Sequence, residues 1–415
     1  MPHRVLLVVS LFAACAAPVR QSPPPPAAID RARPVVLGPD ALRIARDLPV
    51  FDGHNDLPGE LTELVRDGFD GCDISKPQPQ FHTDIPRLLA GGVGAQFWSV
   101  YVPASTEKTG DAFERTLEQV DLVRRMVARY PDVFELAGTA ADVERIRARH
   151  RIACMMGIEG GYSIENSLAA LRMFHALGVR YMTLTHSDST AWADSSTDAP
   201  KHGGLSPFGE EVVREMNRLG MLIDVSHVSL ETMDDALRVS KAPIIASHSS
   251  AFALAEHPRN IPDDRLRAIA ANGGVVMVNF SSSFIHPESA RKTKDLLQVM
   301  RELRAKHPDD AEFRKAMGEW REALHLERGT VRDVCDHIEH IARVAGVDHV
   351  GIGSDFDGVP LLPEQLDDVG HYPYITQELL DRGWSERDIR KVLSGNILRV
   401  LREAERVAAK LGRAP

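Results

Sequence analysis

Residues 222–248 read LIDVSHVSLETMDDALRVSKAPIIASH. Two short apolar runs, 221–227 and 243–248, flank a stretch, 229–239, in which Leu230, Met233 and Leu237 recur at helical spacing. Each run ends in a histidine, His227 and His248. An apolar run, an amphipathic helix and a second apolar run make one unit of a parallel sheet, because a crossover helix returns the chain to start the next strand in the same direction.

The same alternation extends both ways. Strand-like runs are expected at 48–54, 92–100, 152–159, 180–186, 221–227, 243–248, 274–280 and 349–355. Amphipathic helices are expected from Asp111 to Tyr130 and over 139–149, 165–177, 207–219, 229–239, 263–271 and 330–345, with breaks at Gly178, Gly220 and Gly273. Eight such units predict an α/β fold, a (β/α)8 TIM barrel. A doubly wound open sheet is the alternative, but Gly91-Gly92-Val93-Gly94 precedes a strand and does not open a helix, so it is no dinucleotide loop. The seventh strand is followed by a long connection, Ser281 to Gly329, with helical stretches over 290–305 and 309–326, read as a lid or a surface insertion. Helical patterns over 372–412 should pack outside the barrel.

Polar residues fall at the ends of these runs. His54 and Asp56 end the first, and two residues of spacing puts them on one strand face. Glu159, His186, His227, His248 and Asp355 end five others. In a barrel all these ends meet at one mouth, where active sites sit. Histidines and carboxylates without a suitable cysteine favour zinc or a similar divalent ion. Five ligands exceed what one catalytic zinc takes, so a bridging carboxylate and a pair of ions are expected. Two ions a few Å apart share a water and make hydroxide at neutral pH, which is equipment for amide or ester hydrolysis.

The 415-residue chain carries a net charge of −10 and no dense Lys/Arg run, which excludes nucleic acid as an expected partner. Cys15, Cys72, Cys154 and Cys335 form no CxxC and no disulfide framework, leaving only a single Cys72–Cys154 bridge open. Arg4 and the apolar run Val5–Ala14 before Cys15 read as a signal peptide over 1–17, with Phe12-Ala13-Ala14-Cys15 as a lipoprotein cleavage box; ordinary cleavage near Ala16 or Ala17 is the alternative. A Pro-rich tether over 18–40 follows, then the barrel over 41–412. The expected location is outside the cytoplasm, on the periplasmic side of a bacterial membrane, attached to it if Cys15 is lipidated.

With these residues laid out, residues 48–402 resemble the membrane dipeptidase (renal dipeptidase) family of metal-dependent amidohydrolase-like barrels. The resemblance rests on nine ordered segments. Among them are Asp52-Gly53-His54-Asn55-Asp56-Leu57-Pro58, Gly157-Ile158-Glu159-Gly160-Gly161, Ile223-Asp224-Val225-Ser226-His227, Arg259-Asn260-Ile261-Pro262-Asp263 and Gly353-Ser354-Asp355-Phe356-Asp357-Gly358. It implies two Zn2+ per chain. His54 and Asp56 would hold the first, His227 and His248 the second, and Glu159 would bridge them. It further implies that His186 steadies the oxyanion, Arg259 grips the substrate's free carboxylate, and Asp355 moves the proton from water to the leaving amine. The substrate would be a dipeptide, with a D-residue accepted at its C-terminal position, and the resemblance leaves room for a homodimer. Ala104 and Asp188 stand where vertebrate members place a disulfide, so that bridge is not expected.

Asp357 could share proton transfer or cap a turn, Asp224 could orient His227, and His337 and His340 read as solvent-facing or capping groups. The same metal chemistry on an N-acyl amino acid, a β-lactam or a lactone fits these residues too. An exported binding protein that has lost catalysis is the non-enzymatic alternative, disfavoured by the complete ligand set.

Overall fold

In chain order the strands of the computed structural model are β1 (Val50–Asn55), β2 (Val93–Tyr101), β3 (Phe134–Leu136), β4 (Ile152–Glu159), β5 (Val179–Thr183), β6 (Leu222–Asp224), β7 (Ile245–Ala246), β8 (Val275–Val278) and β9 (Val350–Ile352). The structure describes residues 31, 33–62, 64–65, 68–307 and 309–412; the expected signal and most of the tether fall outside them. Every residue of β4 is buried, as expected for an apolar run covered on both faces. One edge of β4 pairs with β2, from Ala95 opposite Ala153 to Tyr101 opposite Glu159. Its other edge carries β5 and, at the start, β3. The ring runs β1-β2-β4-β5-β6-β7-β8-β9 and closes where Asp52 pairs with Ile352.

This closed parallel barrel is the predicted (β/α)8 fold, and the open-sheet alternative falls. The extra strand β3 lies outside the ring; three residues are too few to show alternation. Side chains from alternate positions fill the lumen, among them Phe51, Phe97, Met155, Tyr181 and Met277.

The helices follow their sequence signals. Pro207–Leu219 starts where the Ser206 hydroxyl accepts from the Gly209 N–H and stops at Gly220, whose φ of +76° suits a residue without Cβ. The connection after β8 breaks into Ser282–Ile285, Pro287–Thr293, Leu296–Lys306 and Asp310–Ala323. Arg301 ties it to the loop after β5 by ion pairs to Asp188 (2.9 Å) and Asp198 (2.8 Å). The last helix, Asn396–Leu411, covers the barrel end opposite the mouth: Asn396 donates to the Val350 carbonyl and Arg399 to that of Gly273.

Two expectations are corrected here. His337 and His340 are buried, not solvent-facing. The His337 Nδ1 accepts from the Ala251 N–H at 3.0 Å and its Nε2 meets the Ile285 carbonyl at 3.1 Å, so it pins the loop after β7 to the start of the insertion. The His340 Nε2 lies 2.7 Å from Asp263. Cys72, Cys154 and Cys335 are buried free thiols, so the Cys72–Cys154 bridge is absent.

Candidate metal centre

His54 lies within β1 and Glu159 is the last residue of β4, whereas Asp56, His186, His227, His248 and Asp355 sit just beyond the last paired residues of their strands. The ladder stops earlier than the apolar runs suggest, because backbone at the mouth turns outward to aim side chains. His227 and Asp355 hold φ of +66° and +67°, a left-handed geometry that costs non-glycine residues energy and clusters at functional sites.

Glu159 is the hub. Its Oε1 is 3.1 Å from His227 Nε2 and 3.3 Å from His248 Nε2. Its Oε2 is 3.5 Å from His54 Nε2, which in turn lies 3.2 Å from Asp56 Oδ2. His186 Nε2 stands farther off, 3.8 Å from Oε1. Ligand atoms of His54, Glu159 and His248, of Glu159, His186 and His227, and of His54, Asp56 and Asp355 each lie within 4.8 Å of one another. All seven mouth residues expected from the sequence therefore converge. The His54 Nε2 is buried and makes no hydrogen bond despite these neighbours. Imidazole and carboxylate atoms that converge on common points, with the His227 and His248 Nε2 atoms only 2.9 Å apart, are what a cation site presents, and the orphaned His54 nitrogen is otherwise costly.

Neighbours fix the imidazoles. The His54 Nδ1 meets the Tyr181 hydroxyl at 2.7 Å. That ring fits because residue 157 is glycine; a Cβ there would stand 2.0 Å from the Tyr181 ring. The Ser247 hydroxyl donates to Asp224 (2.6 Å) and lies 2.8 Å from His248 Nδ1. A hydroxyl has one proton, so His248 must donate its own from Nδ1, leaving a lone pair on Nε2. Asp224 thus acts on His248 through Ser247, and not on His227 as expected. Asp52, within β1, accepts from the Ser354 and Tyr372 hydroxyls at 2.6 and 2.8 Å.

Electrostatics agree with the geometry. Burial alone would raise the Glu159 carboxyl, but His54, His186, His227 and His248 hold it well below the usual range. Burial, with Arg259 nearby, pushes His227 well below neutrality, and burial with His54 does the same for His248. Neutral imidazoles are the ligand form, and these two hold it; His54 is shifted the other way, because burial disfavours its charge but Tyr181, Asp56 and Glu159 raise it well above its ordinary value. Burial, reinforced by Asp56, raises Asp355 well above an ordinary carboxyl; the Asn279 amide donates to it at 2.7 Å. Burial also lifts Asp357 to about 7, but its carboxylate accepts from the His82 N–H, a turn-bracing role.

Arg259 is buried next to the centre. It donates to the His248 carbonyl at 3.1 Å and to Ser249 at 3.3 Å, while its Nε makes no hydrogen bond. Among the described residues no carboxylate lies within ion-pair distance of it. Burial lowers it to about 10, so it stays charged at neutral pH. Arg259, His186, Glu159 and Asp355 line a cavity of about 1240 Å³, walled on one side by the insertion. The sequence reading missed Tyr181, Ser247 and Asn279 as supports; they precede or neighbour the strand-end groups, but nothing local marks them.

The family model for membrane dipeptidase (Peptidase family M19) matches residues 39–414. Dipeptidase 3 of Mus musculus is 42% identical over 381 residues, covering 90% of this chain and 68% of that protein. Dipeptidase 3 of Rattus norvegicus is 41% identical, with 90% and 69% covered. Among solved structures, the probable dipeptidase PvdM from Pseudomonas aeruginosa has a TM-score of 0.74 at 25% identity, covering 89% of this chain and 99% of that one. A metallo peptidase from Rhodobacter sphaeroides, solved with a phosphinate mimic of the dipeptide L-Ala-D-Ala, has a TM-score of 0.71 at 26% identity, covering 86% and 99%.

Proposed function

The chain belongs to the membrane dipeptidase family, and we propose that it hydrolyses the peptide bond of dipeptides with two Zn2+ ions, accepting a D-residue at the C-terminal position. The observation that carries this reading is the split of Glu159, one oxygen toward His54 and the other toward His227 and His248. His54, Asp56 and Glu159 would hold one ion, and Glu159, His227 and His248 the other. Bound there, the pair would supply a water of lowered pKa and polarise the scissile carbonyl.

The remaining roles belong to the chain's own groups. Arg259, a buried guanidinium whose Nε makes no hydrogen bond and which has no carboxylate partner among the described residues, receives the free C-terminal carboxylate through its planar fork. His186, whose ring packs on His227 with 4.3 Å between centroids, faces the cavity and steadies the oxyanion. Asp355, buried and braced by Asn279, accepts the proton of the attacking water and returns it to the leaving amine. A clamp on a terminal carboxylate beside the reacting bond admits one residue on the C-terminal side, and a free amine near the ions would hold the substrate to a dipeptide and little longer. The L-Ala-D-Ala mimic in the Rhodobacter sphaeroides relative supports the D-residue.

Zinc-loaded protein assayed on L-L and L-D dipeptides tests this. Turnover of both series is expected. Turnover of N-acyl amino acids, β-lactams or lactones with none of dipeptides would contradict it.

Export remains part of the proposal, with Cys15 as the lipid attachment point. No helix among the described residues is long and apolar enough to cross a membrane. Mass spectrometry of the mature N-terminus should find acylated Cys15; an unmodified terminus beyond it would refute the anchor.

A further inference from the structure

The cavity is larger than the roughly 300–1,000 Å³ usual for small-molecule sites, and its walls differ in character. The helix Ala112–Arg129 and the turn before it contribute charged groups such as Glu114 and Glu118. The insertion after β8 contributes Phe284, Leu296, Met300, Trp320 and Leu326, every one of them half-exposed. Leu296 and Met300 are one helical turn apart and share a face. Arg301, next to Met300, holds this helix across the mouth through Asp188 and Asp198. Five half-exposed apolar side chains gathered inside one cavity are a surface that gains by being covered.

The position of Arg259 says what covers it. The Arg259 guanidinium carbon lies 5.4 Å from the Phe284 ring centroid. A carboxylate held by Arg259 therefore sits at the edge of the apolar wall. The side chain nearest that wall is the one on the residue that carries the free carboxylate. We propose that the insertion forms the subsite for the C-terminal side chain of the substrate, and that it selects a large apolar or aromatic residue there. This rests on the dipeptidase reading above and deepens it.

The test compares kcat/KM of the zinc-loaded protein for L-Ala-L-Phe and L-Ala-Gly, in the wild type and in Met300→Gln and Trp320→Ala. The wild type should favour L-Ala-L-Phe by about tenfold or more, the scale of discrimination an apolar pocket supplies. That preference should fall toward parity in either variant. Two substitutions on different helices guard against one that disturbs the insertion's fold. A flat profile in the wild type, or a preference untouched in both variants, overturns the inference while leaving the dipeptidase reading standing. No turnover of any dipeptide removes both.

Discussion

Asp355 concentrates the chemistry in one side chain. It lies among His54 and Asp56, holds a left-handed backbone, and is buried with a raised pKa. It is assigned to proton transfer and not to metal binding, so Asp355→Asn should leave metal content unchanged and lower kcat by about 10²-fold or more. Loss of metal in that variant, read by elemental analysis, would move Asp355 into the ligand set. The strand-end groups were legible because a charged or imidazole side chain closing an apolar run is conspicuous. Their supports were not. Tyr181 is read in sequence as one more apolar position of a strand, and only the closed ring brings it to His54 from a strand three places away. Asp224 was noticed, but its neighbour in sequence, His227, is not its neighbour in function; Ser247, across from it on the next strand's end, passes its influence to His248.

At the scale of elements, β4 and β5 illustrate how a core contact reaches the site. Residue 157 has no side chain, which admits the Tyr181 ring, whose hydroxyl then orients His54. Gly157→Ala should force the ring aside, cost about 1–3 kcal/mol in stability, and weaken metal binding. Tyr181→Phe keeps the ring and removes only the hydroxyl, so it should weaken metal binding about 10–100-fold with less effect on folding. Equal metal affinity in wild type and Tyr181→Phe, measured by competition with a chelator, would show that the hydroxyl does not support the ligand. Eight of the nine strands and the main helices were legible because each buries a long enough apolar stripe. The insertion was legible as a lid or a surface insertion, but which of its residues face the cavity was not: Leu296, Met300 and Trp320 acquire a common direction only when the segment folds back over the mouth.

For the whole molecule, buried histidines couple stability to pH. Burial lowers His337 to about 4 and His257 to about 3. Each is neutral in the fold and takes up a proton on unfolding below its ordinary value near 6.5, so the unfolded state binds more protons and stability falls with acid. The His337 contribution alone amounts to about 2 kcal/mol between pH 7 and pH 5. Metal-free protein, followed by denaturant unfolding, should lose stability over that window, and His337→Gln should flatten the loss; an unchanged slope would mean that His337 is already charged in the fold. The barrel brings the remaining groups to one mouth, and the central claim is that Glu159 bridges two ions there. Anomalous diffraction at the zinc edge from crystals of the metal-loaded protein tests it most directly. Two peaks are predicted, one between Glu159, His54 and Asp56 and the other between Glu159, His227 and His248. A single peak at this mouth, or none, would contradict it.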